Sequence, residues 1–274
     1  MKKILIPTDF SQNAEYALKV AAQIAKKNNG EIILLHMLEL PRQGSDALGS
    51  GKDIPEIMFF KNAAINRLEE LMEEDYLDGL KVSEIIQFEL AFDGILKISK
   101  LNNVDLIVMG SHGASGYKEM FIGSNAEKVV RNSEVPVLVI KKEEGDFAVD
   151  NFVFASDFSE EVKKPFQKAV EFANNFDATL HLVTINTPNN FKSTSEAEET
   201  MHNFVKGFEI KKVVSHIYNE TNVEKGILNF ANSIDADLIG MSTHGRKGLS
   251  HFFNGSISED LVNHAKRPVV TFKI

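Results

Sequence analysis

The chain contains the same glycine-rich segment twice, which restricts it to a fold that can be built in two copies. Asp105-Leu-Ile-Val-Met-Gly-Ser-His-Gly113 returns as Asp237-Leu-Ile-Gly-Met-Ser-Thr-His-Gly245, and six of the nine positions are identical. In each copy nine further residues lead to a Gly-Ser pair, which begins at Gly123 in the first and at Gly255 in the second. A repeat of about one domain length predicts tandem domains, not a solenoid of short repeats.

A second pair of matching segments extends the repeat to the start of each half. Ile6-Pro-Thr-Asp-Phe-Ser11 corresponds to Phe154-Ala-Ser-Asp-Phe-Ser159 at a spacing of 148 residues, whereas the glycine segments lie 132 residues apart. The first half is therefore longer by 16 residues, which we place around 39–53. The acidic segment 143–146 is the predicted hinge. We expect one domain over residues 1–143 and a second over 148–274.

Composition favours two compact domains and limits the partners. The 274 residues are 43% hydrophobic, which is enough for two cores, and the net charge of −9 opposes non-specific binding to nucleic acid or to an anionic membrane. The absence of cysteine excludes disulfides and thiolate metal sites. No apolar run approaches the roughly 20 residues of a membrane helix, and Pro7 and Asp9 interrupt the N-terminal run before it resembles a signal sequence. We expect a cytoplasmic protein with no nucleic-acid or membrane partner.

Hydrophobic patterning predicts an α/β fold in both halves. Short continuous apolar runs alternate with segments of helical spacing, which is typical of a parallel sheet covered by helices on both faces. Helices of the first half are predicted over 12–28, 56–76, 94–102 and 124–132. The predicted strands are 3–8, 32–36, 82–90, 104–109 and 137–141 in the first half, and 152–156, 180–185, 211–218, 237–241 and 269–273 in the second.

Each glycine segment follows a predicted strand and leads into a predicted helix. Glycines such as Gly110, Gly113 and Gly123 let backbone N–H groups approach a ligand closely, because no Cβ intervenes. A helix start adds unpaired N–H groups and a partial positive charge, so the combination suits a phosphate. Ser124 and Ser256 each open a Ser-x-x-Glu capping box, which needs no ligand. We favour a double use, in which the serine lies at the helix start and a phosphate shares the free N–H groups.

Other polar residues leave two interpretations open. Asp9 and Asp157 follow the first strand of each half, where a carboxylate can bind a ribose hydroxyl or a metal bound to phosphate, or can serve only as a turn residue. His36, His112 and His244 have no Ser or Asp partner at a catalytic spacing, which favours structural roles. No motif for a dedicated metal site is present.

These motifs together resemble the universal stress protein family. The resemblance rests on Gly-x2-Gly-x9-Gly-Ser preceded by Asp-Leu-Ile-Val-Met and followed by a helix and Val-Pro-Val-Leu-Val, and on the opening Ile-Leu-Ile-Pro-Thr-Asp-Phe-Ser. It extends over both halves. It implies two tandem Rossmann-like domains of the adenine nucleotide α-hydrolase type, each with a five-stranded sheet that pairs through its last strand. The ATP-binding branch of the family carries this glycine motif.

Matching positions imply two sites of unequal strength. By resemblance, Asp9 is assigned to ribose or to Mg²⁺ held through phosphate, Met37 to the adenine side, and the later glycines to the phosphates. In the second half Ser242 replaces the first glycine of the motif and Ala155 replaces Pro7, so we predict that the first half is the stronger site. The implied residues of the first site are Pro7, Thr8, Asp9, Met37, Met109, Gly110, His112, Gly113, Gly123, Ser124 and Asn125. Those of the second, weaker site are Asp157, Met241, Ser242, Gly245, Gly255 and Ser256.

The leading expectation is a stress-response protein that binds ATP or another adenine nucleotide, with Mg²⁺ as an accompanying ion. We assign no catalytic residue, and slow ATP hydrolysis is the most that we expect of the site. Two alternatives stay open. One is a nucleotide-free interaction module in which the two halves form a pseudo-dimer through 137–141 and 269–273; association of whole chains into a homodimer is a further expectation. The other is an enzyme, such as an ATPase or a phosphotransferase.

Overall fold

The structure, a computed structural model, describes residues 1–39, 54–113, 122–243 and 255–274. Within these ranges it contains ten strands and eight α-helices in the alternating order that the patterning predicts. The strands are β1 (Lys3–Thr8), β2 (Glu31–Met37), β3 (Lys81–Gln87), β4 (Leu106–Gly110), β5 (Val137–Ile140), β6 (Asn151–Ala155), β7 (Thr179–Asn186), β8 (Val213–Asn219), β9 (Leu238–Thr243) and β10 (Val269–Lys273). The helices are α1 (Gln12–Asn28), α2 (Ile54–Met72), α3 (Ala91–Leu101), α4 (Ser124–Asn132), α5 (Lys163–Phe176), α6 (Thr194–Val205), α7 (Val223–Ser233) and α8 (Gly255–His264).

Three predicted element boundaries are wrong by several residues. The helix predicted over 56–76 ends at Met72, and a separate 3-10 turn follows at Asp75–Leu77. The helix predicted to begin at residue 94 begins at Ala91, because Gly94 N–H already donates to the carbonyl oxygen of Leu90 at 3.0 Å. The third strand accordingly stops at Gln87, before the predicted residue 90.

All ten strands belong to one sheet, in the order β3-β2-β1-β4-β5-β10-β9-β6-β7-β8. Neighbouring strands are parallel within each half, and the two halves join through the antiparallel pair β5 and β10. Val139 pairs with Val269, and Val137 pairs with Thr271. The α/β fold class is therefore confirmed, and the last strands of the two halves pair as the resemblance implies.

Helices cover both faces of this sheet, which explains the continuous apolar strands. In β1, for example, Ile4, Leu5 and Ile6 are all fully buried although they point alternately to opposite faces. One core packs α1, α2, α5 and α6 against the first face. The other packs α3, α4, α7 and α8 against the second face. Burial on both faces therefore fixes the positions of the strands and of the residues at their carboxyl ends.

Two lysines connect the halves beside the β5–β10 pair. The Nζ of Lys141 donates to the carbonyl oxygen of Asn263 at 2.6 Å, and the Nζ of Lys273 donates to that of Asn132 at 3.0 Å. Each acceptor lies at the C-terminal end of a helix of the opposite half. Such ends carry partial negative charge and unpaired carbonyl groups, so both contacts are electrostatically favourable.

Within the described residues, no helix combines the length and the apolar character that crossing a membrane requires.

Candidate functional site

A cavity of about 390 Å³ lies at the carboxyl ends of β1, β2 and β4. β1 lies between β2 and β4 in the sheet. The connection from β1 leads to β2 on one side, whereas the connection from β3 leads to β4 on the other side. This reversal of strand order is the switch point where open α/β sheets bind ligands. The starts of α1, α3 and α4 complete the walls. The lining residues are Pro7, Thr8, Asp9, Ala14, Leu35, Met37, Glu39, Ala91, Ile95, Met109, Gly110, Ser111, His112, Gly113, Gly123, Ser124, Asn125 and Ala126.

All eleven residues predicted for the first site are among these lining residues. They come from four separate segments of the chain, which the parallel sheet brings to one edge. Leu35, Ala91 and Ile95, which form an apolar part of the cavity wall, are not among the predicted site residues. The helix after β3 begins beside the switch point, and Ala91 and Ile95 lie four residues apart on one face of its start. This position could have indicated both residues as part of the cavity wall.

Asp9 lies in a tight turn between β1 and α1. Its Oδ1 accepts the N–H of Ser11 at 3.1 Å, and the Oγ1 of Thr8 accepts the N–H of Phe10 at 3.1 Å. Phe10 adopts a left-handed φ of 63°, which these two bonds stabilise. The Oδ2 of Asp9 lies against Gly113, where an added Cβ would overlap with it. One carboxylate oxygen therefore holds the turn, and the other lies at the glycine loop.

The second half repeats this turn. The Oδ1 of Asp157 accepts the N–H of Ser159 at 3.1 Å, the Oγ of Ser156 accepts the N–H of Phe158 at 2.9 Å, and Phe158 has a φ of 57°. The turn interpretation is thus correct for Oδ1 of both aspartates. The ligand interpretation concerns the other carboxylate oxygen, which in Asp9 lies against Gly113.

The three glycines of the first loop differ in how closely other atoms approach them. A Cβ at position 110 would lie 2.7 Å from the backbone carbonyl of Asn13, so Gly110 permits α1 to begin against the end of β4. A Cβ at position 113 would displace Asp9. At Gly123 the nearest atom, the carbonyl oxygen of Ser111, would lie 3.5 Å away, so the protein itself has room for a methyl group there.

Gly123, and not Ser124, is the N-cap of α4. Gly123 has an extended backbone, and its carbonyl oxygen accepts the first helical hydrogen bond, from the N–H of Glu127 at 3.0 Å. Among the described residues, no side chain caps the helix. The expectation of a Ser-x-x-Glu capping box is wrong here, because Ser124 already lies inside the first turn. The N–H of Gly123 donates to the carbonyl oxygen of Ser111 at 2.7 Å and closes the loop. The N–H groups of Ser124, Asn125 and Ala126 begin the helix beside the cavity and have no intrahelical acceptor.

Histidine and lysine side chains set the electrostatics near this loop. The Nδ1 of His112 lies 2.9 Å from the Oγ of Ser111, and its buried Nε2 has no hydrogen-bond partner among the described residues. Burial, with a smaller contribution from the charge of Lys141, lowers the pKa of His112. Burial also lowers the pKa of Lys141 to about 8. His36, by contrast, bonds to backbone: its Nδ1 lies 2.8 Å from the carbonyl oxygen of Thr8.

The opposite end of the cavity is apolar. Leu35 and Met37 come from β2, and Ala91 and Ile95 come from α3. The terminal Cε of Met37 packs directly on the α-carbon of Gly94, where an added Cβ would overlap with it. This contact holds the methionine side chain against α3 and keeps the apolar end open.

The corresponding place in the second half is almost filled. The cavity there has a volume of about 10 Å³ among the described residues. Val223 stands where the first half has Ala91, and Ile185 stands where it has Met37. Of the residues predicted for the second site, Asp157 lines this small cavity, Met241 and Ser242 are fully buried in β9, and Gly255 and Ser256 begin α8. Gly245 and the side chain of Ser256, with its predicted capping box, lie outside the described residues.

A second difference between the halves lies beside Ser242. Its counterpart Gly110 contacts the first turn of α1 so closely that a Cβ would not fit. In the second half, where the serine supplies that Cβ, Glu160–Val162 form a 3-10 turn and the α-helix begins only at Lys163. The Oγ of Ser242 is buried and has no partner among the described residues.

Among the described residues, no group of three or more His, Cys, Asp or Glu side chains is arranged to hold a metal ion. Asp9 and Glu39 are the two carboxylates among the described residues that line the cavity, and the Oε1 of Glu39 accepts the N–H of Ala91 at 3.0 Å. That number suits Mg²⁺, which proteins commonly bind through one or two carboxylates together with phosphate oxygens.

Comparisons with known proteins extend over both halves. The model of the universal stress protein family matches residues 1–141 and again residues 148–273. Universal stress protein MJ0577 of Methanocaldococcus jannaschii is 37% identical over 157 residues, covering 52% of this chain and 95% of that protein. Universal stress protein Slr1230 of Synechocystis is 23% identical, with 100% of both chains covered. The crystal structure of a universal stress protein from Archaeoglobus fulgidus superimposes with a TM-score of 0.74 at 26% identity, covering 99% of this chain and 96% of that one.

Proposed function

We propose that this chain, which belongs to the universal stress protein family, binds ATP or another adenine nucleotide in the cavity of its first half. The observation that carries the proposal is the convergence of an apolar wall, a carboxylate and an uncapped helix start on one cavity at the switch point of the sheet. A volume of about 390 Å³ falls within the range of small-molecule pockets, about 300–1,000 Å³.

The glycine end suits the phosphates. Within the described part of the chain, no side chain caps the first turn of α4, and the partial positive charge of the helix start favours an anion there. Gly113 and Gly123 line the same end without a Cβ, so phosphate oxygens can approach the backbone. The protein has a net charge of −9, so this local arrangement of amides, and not a basic surface, would supply the attraction.

The apolar end suits the base. Leu35, Met37, Ala91 and Ile95 provide surface on which a planar ring can be buried. The cavity is also lined by Pro7 and Thr8 at the end of β1 and by Glu39, whose carboxylate accepts the N–H of Ala91, and their polar groups can give the ring an orientation. A molecule with a flat apolar part, a hydroxyl-bearing middle and an anionic tail matches the cavity from one end to the other.

Asp9 lies between the two ends. Its Oδ1 is engaged in the turn, whereas its Oδ2 lies at the glycine loop, where it can accept a hydrogen bond from a ribose hydroxyl or coordinate a cation. When Mg²⁺ accompanies the nucleotide, Asp9 is the side chain that would hold it with the phosphates, and the ion would neutralise their charge.

Glycine-to-alanine variants of the full chain test the proposal. The methyl group of Gly123→Ala would lie 3.5 Å from the carbonyl oxygen of Ser111 and 3.8 Å from the N–H nitrogen of Gly113, in the space assigned to phosphate. The matched control is Gly145→Ala in the hinge, where no atom lies within 4 Å of the added Cβ. ATP affinity should fall by about tenfold or more in Gly123→Ala, equivalent to about 1.4 kcal/mol, and should be unchanged in Gly145→Ala.

A comparison of ligands identifies which end is affected. Wild type should bind ATP more tightly than adenosine, because only ATP reaches the glycine end. Gly123→Ala should lose that preference and keep its affinity for adenosine. Equal ATP affinity in both variants, measured by calorimetry, would contradict the proposed site.

A further inference from the structure

A residue of the second half lies at the glycine loop of the first. The Oδ1 of Asn263, near the end of α8, accepts the N–H of Ile122 at 2.6 Å. The backbone oxygen of the same asparagine accepts the Nζ of Lys141 at 2.6 Å. Ile122 and Lys141 both belong to the first half. Asn263 thus binds two separate segments of the opposite half at once.

These two bonds complete a closed circuit of hydrogen bonds around the loop. The N–H of Ser111 donates to the carbonyl oxygen of Ile140 at 2.9 Å, and the N–H of Gly123 donates to that of Ser111 at 2.7 Å. Lys141 follows Ile140, and Ile122 precedes Gly123. Lys141 and Ile122 each donate a hydrogen bond to Asn263. Asn263 of the second half therefore helps to fix the end of β5, the end of β4 and the start of α4 relative to one another.

The bond to Ile122 satisfies a backbone N–H of a buried residue. Ile122 is only 8% exposed, so removing the asparagine oxygen takes away a hydrogen bond that a buried N–H requires. Gly123, the next residue, is the N-cap of α4. A shift at Ile122 therefore moves the N–H groups of the first turn of α4, which line the cavity.

We infer that Asn263 is a positioning residue for the nucleotide site of the first half, so that the second half acts as a support that fixes the phosphate-binding loop. This inference rests on the proposed function. It also gives the second half a role that its own cavity of about 10 Å³ does not suggest.

The repeat does not duplicate the asparagine side chain. At the repeat spacing of 132 residues, the counterpart of Asn263 in the first half is Arg131. An arginine side chain carries donors and no acceptor, so it cannot accept a backbone N–H in the way Asn263 does. The lysine contact across the halves recurs as Lys273 to Asn132, whereas residue 254, the counterpart of Ile122, lies outside the described residues.

The test uses three variants of the full chain. Asn263→Leu keeps the approximate size but removes the acceptor, whereas Asn263→Asp keeps an acceptor oxygen in the same place. Lys273→Met is the matched control, because it removes a cross-half contact that does not reach Ile122. For each variant, hydrogen exchange of the amides at 122–126 is measured without ligand, and ATP affinity is measured by calorimetry.

In Asn263→Leu, exchange at 122–126 should become faster and ATP affinity should fall by roughly 5- to 150-fold, the usual range of coupling between sites. Asn263→Asp should restore both properties, and Lys273→Met should change neither. Unchanged exchange and unchanged affinity in Asn263→Leu would overturn the inference, as would equal losses in Asn263→Asp and Asn263→Leu.

The two proposals fail in different ways. If the wild-type chain does not bind nucleotide, the proposed function is wrong, and the exchange data still decide whether Asn263 fixes the loop. If wild type binds ATP and Asn263→Leu binds it equally well, the function stands and the positioning role is wrong.

Discussion

The carboxylate of Asp9 lies directly against the α-carbon of Gly113, so closely that any side chain at position 113 would displace it. The contact joins the turn after β1 to the loop after β4, the two strand ends that flank the switch point. The position of Asp9 is thus set from both sides, by the N–H of Ser11 at 3.1 Å and by the loop glycine.

Asp9→Asn separates the turn role of this residue from its ligand role. Asparagine keeps the oxygen that accepts the N–H of Ser11, so the free energy of unfolding should change by no more than about 0.5 kcal/mol. The affinity for ATP in the presence of Mg²⁺ should fall by about tenfold or more, because the charge that binds the cation or the ribose is removed. Calorimetry and chemical denaturation measure the two quantities.

Asp157→Asn is the matched control, since Asp157 makes the same turn in the second half, with its Oδ1 3.1 Å from the N of Ser159. It should leave ATP affinity unchanged. Equal losses of affinity in the two variants would show that the carboxylate acts through the fold and not on the ligand.

Gly94→Ala should alter the base end of the cavity without unfolding the protein. The new methyl group would displace the Cε of Met37, which is the end of a flexible side chain and can move toward the cavity. Alanine also raises the helix propensity of α3 by about 1 kcal/mol, which offsets the cost of moving the methionine. Affinity for both ATP and adenosine should therefore fall, whereas the melting temperature should stay close to that of wild type. Undiminished adenosine affinity would mean that Met37 does not face the base.

The stability of the second half should depend on a pair of histidines. The Nδ1 of His181 lies 3.0 Å from the Nε2 of His216, and the Nε2 of His181 lies 3.1 Å from the Oδ1 of Asn151. Burial lowers the pKa of both histidines, and His181 lowers that of His216 further. The unfolded chain therefore binds protons more readily than the folded one. Stability should be complete above about pH 6.5 and should decrease as the pH falls below it.

The first half shows how to remove this dependence, because Ile33 and Ile85 occupy the corresponding positions. Urea denaturation of wild type and of the double variant His181→Ile, His216→Ile at pH 8 and pH 5 measures the effect. The double variant should lose less stability on acidification than wild type. The same loss in both would exclude the histidine pair as the cause.

The sequence predicted the fold well because burial on both faces leaves a clear pattern. β4 is apolar at every position and β1 is apolar from Ile4 to Pro7, and the spacing of such strands from the helices repeats in both halves. Many lining residues of the first cavity could be predicted for a related reason. Its residues follow strand ends, so the topology alone brings Asp9 and the glycine loop to one edge of the sheet.

Other features depend on contacts that one-dimensional patterns do not contain. Gly123-Ser124 is compatible with either residue as the N-cap, and the bond from the N–H of Glu127 to the carbonyl oxygen of Gly123 decides between them. The bond between Asn263 and Ile122 joins residues 141 positions apart and requires the register of the β5–β10 pair. The narrowing of the second cavity likewise follows from side-chain volumes, such as Val223 in place of Ala91, acting together in three dimensions.

The most direct measurement of the central claim is a calorimetric titration of the intact chain with ATP and Mg²⁺. An open cavity of about 390 Å³ in the first half and one of about 10 Å³ in the second predict saturation at one nucleotide per chain. The absence of saturable binding would contradict the claim that the first cavity is a nucleotide site. Two equivalent nucleotides per chain would contradict the inequality of the two halves.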